Sequence, residues 1–328
     1  MYRLITYLLS ILIGLQIQAQ CDPDKRPIIF MHGFLASGDS YAGQVQRFVD
    51  AGYCPDRLFV FDWNSVNGNV KKTDSLLNAL IDEVLKKTNA AKVDLVGHSA
   101  GGGLGRSYLA DSVHATKIAH YVHIGSRKWS KDLSWFPNEK CLNVWSPADK
   151  VMGSGGGDVN GAINLSLKDK DHYEVATCYA TWSAMYQFFN DLEVGESVPP
   201  PMVSVPADGG YSIGGKAVLL GDNTPMRGAA VHVWSVKSVN GKRYGKEPIA
   251  SFTVSDDGKW GPVKTKQNEY YELELIPAEK NQRTISYYIG RVDNDDHFIY
   301  LRGFPQGNMV SMMLGSLPAK EDQSVIVI

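Results

Sequence analysis

The stretch VDLVGHSAGGG, residues 93–103, is an apolar run that stops at a serine set between glycines. It contains the pattern G-x-S-x-G from Gly97 to Gly101, with Ser99 at its centre. The run before Ser99 predicts a buried strand and the segment after it predicts a helix, which is the context of a nucleophile elbow. Side chains at 97 and 101 would collide with neighbouring backbone in so tight a turn. We therefore predict that Ser99 is a nucleophile, against the alternative of a turn that needs glycine only for packing.

Strands and helices alternate on both sides of this elbow, up to about residue 192. Strands that are continuously apolar and separated by helices are typical of a parallel sheet covered on both faces. The first part of the chain is therefore predicted to be α/β. The predicted strands are PIIFMHG, LFVFDW, VDLVGHS, IAHYVHIGS, CLNVWS and AINLSL, and the predicted helices span 40–51, 73–88, 100–111 and 175–191.

The chain changes character in VGESVPPPMVSVPADGG, residues 194–210, where prolines stand among small and polar residues as in an interdomain linker. Beyond it we find no convincing helix, and short β-like runs recur between Gly, Asn and Asp turns. This pattern predicts a small antiparallel sandwich or barrel. The runs are KAVLL, AAVHVWSV, IASFTV, YYELELI, TISYYIG, HFIYLRGF and SVIVI. The predicted organisation is a signal peptide over 1–19, an α/β domain over 20–192, a linker over 193–209 and a β-sandwich or barrel domain over 210–328.

A serine nucleophile needs a base, and the chain has eight histidines. His172 lies in the loop KDKDHYEV, between the last predicted strand of the α/β part and its final helix, from which a base can reach back over the sheet. We exclude His98, whose side chain in the elbow should point away from its neighbour's, and assign His32 to organising an early loop. The other histidines fall in predicted helices and strands, where packing is the better explanation: His114, His120, His123, His232 and His297.

The base needs a carboxylate partner, for which Asp149 is the best candidate. It follows the strand CLNVWS directly and so emerges at the carboxyl end of the sheet. The resulting order Ser, Asp, His along the chain suits a serine hydrolase built on such a sheet. Asp158, in a glycine-rich loop, is the runner-up, whereas Asp169 and Asp171 are expected to be solvated loop charges.

An anionic tetrahedral intermediate requires two N–H donors. The residue after the nucleophile, Ala100, should supply one, and the loop after the early strand PIIFMHG should supply the other from Phe34. Gly33 allows the backbone to turn closely there. His32 is then expected to fix this loop by hydrogen bonding, without acting as the base.

The N-terminal stretch LITYLLSILIGLQIQAQ is apolar and uncharged, and it predicts a secretory signal cleaved near Ala19. We therefore expect a secreted or periplasmic protein. A membrane anchor needs about 20 predominantly apolar residues, and the glutamines Gln16, Gln18 and Gln20 cut this run short. Lipid attachment at Cys21 is a third alternative, although glutamines fit a lipobox poorly.

Export would place the four cysteines in an oxidising compartment, where an even number suggests disulfides. From the elements that they adjoin, we expect the pairs Cys21–Cys54 and Cys141–Cys178. Reduced, buried cysteines are the alternative.

Four segments, FMHGFLASG, VDLVGHSAGG, SPADKVM and DHYEV, together resemble the α/β-hydrolase family, in particular its secreted microbial lipases and carboxylesterases. The similarity covers roughly residues 26–191. It implies an α/β-hydrolase fold that cleaves carboxylic esters without a cofactor, with Ser99 as nucleophile, Asp149 as acid, His172 as base, and Phe34 and Ala100 as oxyanion donors.

The second part of the chain carries a resemblance of its own. Its segments RGAAVHVWSVKSVNGKR, GKWGPVKTKQNEYYELEL and DDHFIYLRGF are similar to the C-terminal β-domain of some bacterial and archaeal lipases. That resemblance implies a domain that assists access to a lipid or polymer substrate, without chemistry of its own.

The segment RKWSKDLSWFPNEK, between two predicted strands, is too short for a helical cap. Its Trp129, Trp135 and Phe136 suggest an apolar rim that receives an acyl chain, with packing on the core as an equal alternative. The expected partner is an ester or lipid, and an insoluble polymer surface stays open. Alternative functions are a polyester depolymerase, a peptidase or acyltransferase on the same fold, or a secreted binding protein.

Charge and composition narrow the partners further. The chain has 33 Lys and Arg against 35 Asp and Glu, a net charge of −2, so no basic excess favours nucleic acid. The acidic cluster Asp293, Asp295 and Asp296 lacks the glycine and distant glutamate of a calcium loop, and we expect no metal. The sequence leaves the oligomeric state open.

Overall fold

The computed structural model of the protein describes residues 21–304 except 67–68, 132, 201–209, 267 and 281. The predicted signal peptide over 1–19, most of the predicted linker and the β-like run SVIVI lie outside the described residues. Among the helices of the described part, none is long and apolar enough to cross a membrane.

Six strands form one parallel sheet in the order β2-β1-β3-β4-β5-β6, which confirms the predicted α/β class. The strands are β1 (Ile28–Met31), β2 (Leu58–Phe61), β3 (Val93–His98), β4 (Ile118–Ile124), β5 (Cys141–Trp145) and β6 (Ile163–Ser166). The helices are α1 (Ala42–Asp50), α2 (Val70–Thr88), α3 (Ala100–Tyr108), α4 (Ser112–Ala115), α5 (Glu174–Thr177) and α6 (Tyr179–Phe189). Short 3₁₀ turns cover Gly38–Tyr41, Pro55–Arg57, Asn138–Lys140 and Gly153–Gly155.

The central strands are mostly apolar because helices cover both faces of the sheet, although β3 and β4 also bury polar residues such as Asp94 and His123. In β1, Ile28 and Phe30 join the core beneath α1 and α6, while Ile29 and Met31 join the core beneath α2 and α3. Successive residues of a strand point to opposite faces of the sheet, so β1 contributes side chains to both cores.

The helix α2 illustrates how the local sequence sets an element. Leu77, Ile81 and Val84 recur at helical spacing and are buried in the core. The side chain of Asn69 caps the first turn by accepting a hydrogen bond from the Lys72 N–H, and Asn89 ends the helix in the left-handed conformation.

The β part contains two sheets that share one core, as expected of a sandwich. One sheet has the order β10-β7-β13 and the other β12-β11-β8-β9. The strands are β7 (Ser212–Leu219), β8 (Ala230–Val236), β9 (Ala250–Thr253), β10 (Lys259–Lys264), β11 (Tyr270–Ile276), β12 (Ile285–Ile289) and β13 (Asp296–Gly303).

Two details of the sandwich differ from the sequence reading. β7 and β13 pair in parallel, so the expectation of an all-antiparallel arrangement is wrong for this pair. They are the first and last strands of the β part that the structure describes, and between them the chain also forms all four strands of the other sheet. β10 was not among the predicted runs because Gly261 and Pro262 interrupt its apolar pattern.

One of the two predicted disulfides is present. Cys21 and Cys54 are bonded, which confirms that pair and leaves no thiol at Cys21 for a lipid. The pair Cys141–Cys178 is wrong, because both cysteines are free. Cys141 is buried in the core beneath α2 and α3, whereas Cys178 caps α6 on the opposite face of the sheet. Burial raises the pKa of the Cys141 thiol to about 12.

Candidate active site

Ser99 occupies a strained turn between β3 and α3. Its backbone lies at φ 53° and ψ −118°, a conformation that L residues rarely adopt. A side chain at Gly97 would come within 2.5 Å of the Gly101 carbonyl oxygen, and one at Gly101 within 2.3 Å of the Met31 carbonyl oxygen. The steric need for both glycines is therefore confirmed, and the turn lifts the Ser99 hydroxyl to the carboxyl end of the sheet.

The structure brings Ser99, His172 and Asp149 into one hydrogen-bonded chain. The distance from His172 Nε2 to Ser99 Oγ is 2.9 Å, and that from His172 Nδ1 to Asp149 Oδ2 is 2.8 Å. A carboxylate oxygen accepts, so Nδ1 carries the proton and Nε2 is free to accept from the Ser99 hydroxyl. This is the geometry that nucleophile activation requires.

Backbone donors hold the carboxylate of Asp149 in place. The residue is 2% exposed, and its second oxygen accepts hydrogen bonds from the N–H groups of Val151 and Met152, each at 3.0 Å. The runner-up, Asp158, accepts from the indole Nε1 of Trp145 instead. Asp169 pairs with its neighbour Lys170, and Asp171 accepts from the backbone of the following turn.

His98 is not the bystander that its place in the elbow suggested. Its Nε2 donates a hydrogen bond to the carbonyl oxygen of His172 at 2.8 Å, and the two ring centroids are 4.7 Å apart. Burial, with the neighbouring His172, lowers the pKa of His98 to about 4. His98 therefore stays a neutral donor that holds the loop bearing the candidate base. The sequence does not predict this contact, because it depends on the direction in which β3 points the His98 ring, and composition does not reveal that direction.

Phe34 lies on a loop that packs directly against the nucleophile. A side chain at Gly33 would come within 3.1 Å of Ser99 Cβ. Among the described residues, the Phe34 N–H has no hydrogen-bond acceptor, and the Ala100 N–H opens α3, where a helix leaves its first N–H groups unpaired. Both N–H groups are thus available at the elbow.

His32 organises this loop, as predicted. The ring is completely buried and stacks on Trp63, and its Nδ1 lies 2.8 Å from the carbonyl oxygen of Gly33. Its Nε2 accepts from the Trp63 N–H at 3.2 Å and from the Asn223 side chain at 3.1 Å. Burial lowers the pKa of His32.

The β part touches the same loop with several side chains that sequence reasoning missed. Arg302 donates to both carboxylate oxygens of Asp39, at 2.7 and 2.6 Å, and to Ser37 Oγ at 2.6 Å. Lys216 and Tyr300 both contact Asp62, whose other oxygen accepts from the backbone of the loop at Gly38. No local pattern links positions so far apart in the sequence.

A cavity of about 1420 Å³ opens beside Ser99, and the three predicted rim residues differ in relation to it. Trp129 lines the cavity but is 8% exposed, with its ring edge against His123. Trp135 is 61% exposed and lines a smaller neighbouring cavity of about 540 Å³. Phe136 also borders that second cavity but is 3% exposed and packs in the core, which favours the packing alternative for it.

Three of the remaining histidines have structural partners. His120 pairs with Asp94, His232 with Glu274, and His114 stacks on Tyr108. In the part of the chain that the structure describes, no three or more His, Cys, Asp and Glu side chains are grouped to hold a metal ion.

Comparison with known proteins matches both parts of the chain. Residues 25–121 match the family model Lipase (class 2), and residues 209–305 match the Lipase C-terminal domain. A solved lipase from Bacillus licheniformis is 14% identical, covering 52% of this chain and 94% of its own, with a TM-score of 0.43. A structure in a study of carboxylesterases from Nitrososphaera gargenis is 13% identical, covering 48% and 86%, with a TM-score of 0.35.

Structural similarities at these TM-scores do not add to the evidence for the fold. The two family matches stand on their own and together span more than half of the chain. The first contains the loop of Phe34 and the elbow of Ser99, and the second contains most of the β part. The chain is therefore an α/β-hydrolase of the lipase and esterase type with a C-terminal lipase domain.

Proposed function

We propose that the protein is a serine hydrolase that cleaves carboxylic esters through an acyl-enzyme on Ser99. The hydrogen-bonded chain from Ser99 through His172 to Asp149, standing on a strained elbow, carries this proposal. The match to a lipase family supports an ester as the bond that is cleaved.

In the first half of the reaction, Ser99 Oγ attacks the ester carbonyl carbon while its proton passes to His172 Nε2. The carbonyl oxygen becomes an anion that accepts hydrogen bonds from the N–H groups of Phe34 and Ala100. The imidazolium of His172 then gives its proton to the leaving alkoxide oxygen as the carbon–oxygen bond breaks. An alcohol leaves, and the acyl group stays on Ser99.

Water completes the cycle by the same route. His172 Nε2 takes a proton from the water as its oxygen attacks the acyl carbon, and then returns that proton to Ser99 Oγ when the acid leaves. Asp149 keeps Nδ1 of the imidazole protonated and stabilises the imidazolium in both halves. Because the Val151 and Met152 N–H groups already hold its second oxygen, this carboxylate needs little reorganisation.

We also propose that the protein acts outside the cytoplasm. The Cys21–Cys54 disulfide supports this, since disulfides persist mainly in oxidising compartments. The apolar stretch before Cys21 is the expected export signal. A peptidase or an acyltransferase on the same scaffold is the alternative reaction, and the substrate panel below distinguishes the peptidase.

The test is hydrolysis of 4-nitrophenyl esters of increasing acyl length, beside the matching anilides, by the wild type and Ser99→Ala. Loss of the nucleophile should lower kcat by about 10⁴-fold or more. Ser75→Ala, at an exposed serine on α2 that does not line the cavity, is the matched control and should keep its activity. Equal rates for Ser99→Ala and the wild type would refute the proposal, and anilides cleaved faster than esters would favour the peptidase.

A further inference from the structure

We propose that Asn223, in the β part, is a positioning residue for the oxyanion donor Phe34 and acts through the tautomer of His32. The inference rests on the proposed function. It gives the C-terminal β part a role in forming the active site, beyond the substrate access that its family resemblance implies.

Asn223 directs the NH₂ group of its side chain into the other part of the chain. The residue is 7% exposed and stands in the turn between β7 and β8, in the left-handed conformation at φ 57°. Its Nδ2 lies 3.1 Å from His32 Nε2, 2.9 Å from the Ala36 carbonyl oxygen and 3.1 Å from the Trp63 carbonyl oxygen. A buried amide with these contacts ties the turn to the loop on which Phe34 lies.

The partners of His32 determine which ring nitrogen carries the proton. The carbonyl of Gly33 can only accept, so Nδ1 must donate to it. The Trp63 N–H and the Asn223 amide can only donate, so Nε2 must be unprotonated. Burial lowers the pKa of His32, which keeps a second proton off the ring. Asn223 Nδ2 has two hydrogens for three acceptors, so it shares one of them with His32 Nε2 and, beside the Trp63 N–H, is a second donor that favours the Nδ1–H tautomer.

This tautomer sets the direction of the Phe34 N–H. A trans peptide points its C=O and its N–H to opposite sides. When His32 Nδ1 holds the Gly33 carbonyl, the N–H of Phe34, in the same peptide unit, must point the other way. With Gly33 packed against Ser99 Cβ, the held peptide keeps this donor at the nucleophile. With Nδ1 unprotonated, a lone pair would face the Gly33 oxygen, and the peptide would keep only the longer hydrogen bond from the Ala36 N–H, at 3.4 Å.

The experiment compares Asn223→Gly, which keeps the left-handed turn, with Asn223→Asp, which keeps the shape but replaces the donor by an acceptor. Asn268→Gly is the control, because Asn268 also has a positive φ in a β-part turn, at 64°. Removing an oxyanion donor outright costs about 10² to 10³ in kcat. We expect both Asn223 variants to lose about 10-fold or more in kcat, with KM within about twofold and the control unchanged.

Two further readouts separate positioning from a structural role. A trifluoromethyl ketone, which forms an oxyanion on the nucleophile, should bind the Asn223 variants about 10-fold more weakly, in step with kcat. The ¹⁵N NMR spectrum of the wild-type His32 ring should show a protonated Nδ1 and an unprotonated Nε2. This measurement does not depend on the folding of any variant.

Several outcomes would overturn the inference. These are a protonated Nε2 in the wild-type spectrum, full kcat in Asn223→Asp, or a loss of thermal stability in the Asn223 variants with kcat and inhibitor binding unchanged. An inactive wild type would instead refute the proposed function, so the two failures are distinguishable.

A second inference rests on the charges around the Ser99 cavity. Its lining includes four cationic side chains, all exposed, and one carboxylate, Asp158, which accepts from Trp145. Within the described ranges none of the four cations forms an ion pair, although the chain as a whole has a net charge of −2. The four are Arg106, Arg127, Lys128 and Lys131.

We infer that the preferred esters carry an anionic group, a carboxylate or a phosphate, on the portion bound in this cavity. Clustered cations in a cleft raise the local concentration of anions, and the effect weakens with salt. The apolar surfaces of Trp129, Leu133 and Met152 lie among these cations and would contact the remainder of such a substrate.

Three esters serve as probes. 4-Nitrophenyl butyrate is neutral, mono-4-nitrophenyl adipate carries a negative charge on the acyl side, and 4-carboxyphenyl butyrate carries one on the alcohol side. At low salt one anionic ester should exceed the neutral ester in kcat/KM by about 5-fold, and added salt should remove the difference. Arg127→Gln should lower that ratio, and the distant surface variant Lys280→Gln should not. A neutral ester preferred at low salt, or equal ratios in both variants, would overturn the inference.

Discussion

The two halves of the candidate site are held by different parts of the molecule. In the described part of the chain, the hydrogen bonds that hold Ser99, His172 and Asp149 come from the α/β part, with His98 holding the His172 loop and backbone N–H groups holding Asp149. The loop of Phe34, in contrast, is held by His32 of the α/β part and also, from the β part, by Asn223 and by Arg302 through Asp39.

This difference teaches that proton transfer and oxyanion stabilisation have separate structural supports in this protein. The first depends on the carboxyl ends of the parallel strands, where the fold itself gathers side chains. The second depends, for its Phe34 donor, on contacts between two parts far apart in the sequence, whereas its Ala100 donor lies on the elbow itself. Variants in each support should therefore change different kinetic or thermodynamic quantities.

The largest effect is expected at the carboxylate of the α/β part. Asp149→Asn removes the acceptor that keeps His172 Nδ1 protonated, so the imidazole loses the tautomer that can accept from Ser99. We expect kcat to fall by about 10⁴-fold at neutral pH, with little change in thermal stability. Asp158→Asn is the matched control, since Asp158 is the runner-up carboxylate. If kcat fell more in Asp158→Asn than in Asp149→Asn, Asp158 would be the carboxylate that orients His172, and Asp149 would not.

The disulfide should affect stability without affecting the site. The double variant Cys21→Ser/Cys54→Ser opens a loop of 33 residues in sequence separation and should lower the free energy of unfolding by about 4 kcal/mol. Because no described contact links this bond to the site, kcat should stay unchanged below the melting temperature. Cys178→Ser, at a free cysteine, is the control. A fall in kcat that parallels the fall in stability would show that the supports are not separate.

The contact between the parts is tested by Arg302→Met. Arg302 and Asp39 are 18% and 21% exposed, so removing the cation leaves a partly buried carboxylate without its main donor. We expect a loss of about 2 kcal/mol in the free energy of unfolding, together with a several-fold lower kcat through the loop. Arg227→Met removes an ion pair whose members are 73% and 78% exposed and should cost less than about 0.5 kcal/mol. Equal costs for the two would mean that Arg302 does not anchor the loop.

The local sequence was enough to predict the sheet of the α/β part and the positions of its candidate catalytic residues. The apolar runs around β1, β3 and β5 predicted the parallel sheet, and the positions of Asp149 and His172 after strands predicted where they would meet Ser99. These inferences rest on one rule, that parallel strands end at the same edge of the sheet, and this rule needs no knowledge of distant contacts.

The remainder depended on tertiary structure. The contact of Asn223 with His32 joins positions 191 residues apart, and nothing near Asn223 distinguishes it from an ordinary turn asparagine. The Cys141–Cys178 pair failed for a related reason. Adjacent elements in the sequence lie on opposite faces of the sheet, and the spacing of the cysteines carries no information about the face.

The smallest expected effect concerns His98, which links the fold to the proton-transfer half of the site. Its pKa is about 4 in the folded protein against 6.5 ordinarily, so between these values the unfolded chain binds the extra proton. This contribution to stability is complete above pH 6.5 and is lost as the pH falls toward 4, by roughly 1 to 2 kcal/mol at pH 5. His98→Asn should flatten the dependence of the free energy of unfolding on pH by about one proton.

The readout for His98 is the slope of stability against pH, obtained from denaturant unfolding at several pH values, because any substitution in the elbow changes the absolute stability. The same variant should lower kcat at neutral pH, since the shorter amide no longer holds the His172 carbonyl at 2.8 Å. An unchanged slope would mean that His98 titrates alike in both states. If His98→Asn flattened the pH dependence of the free energy of unfolding but kept full kcat, His98 would contribute to stability only. Asp149 would then be the residue that orients the base His172.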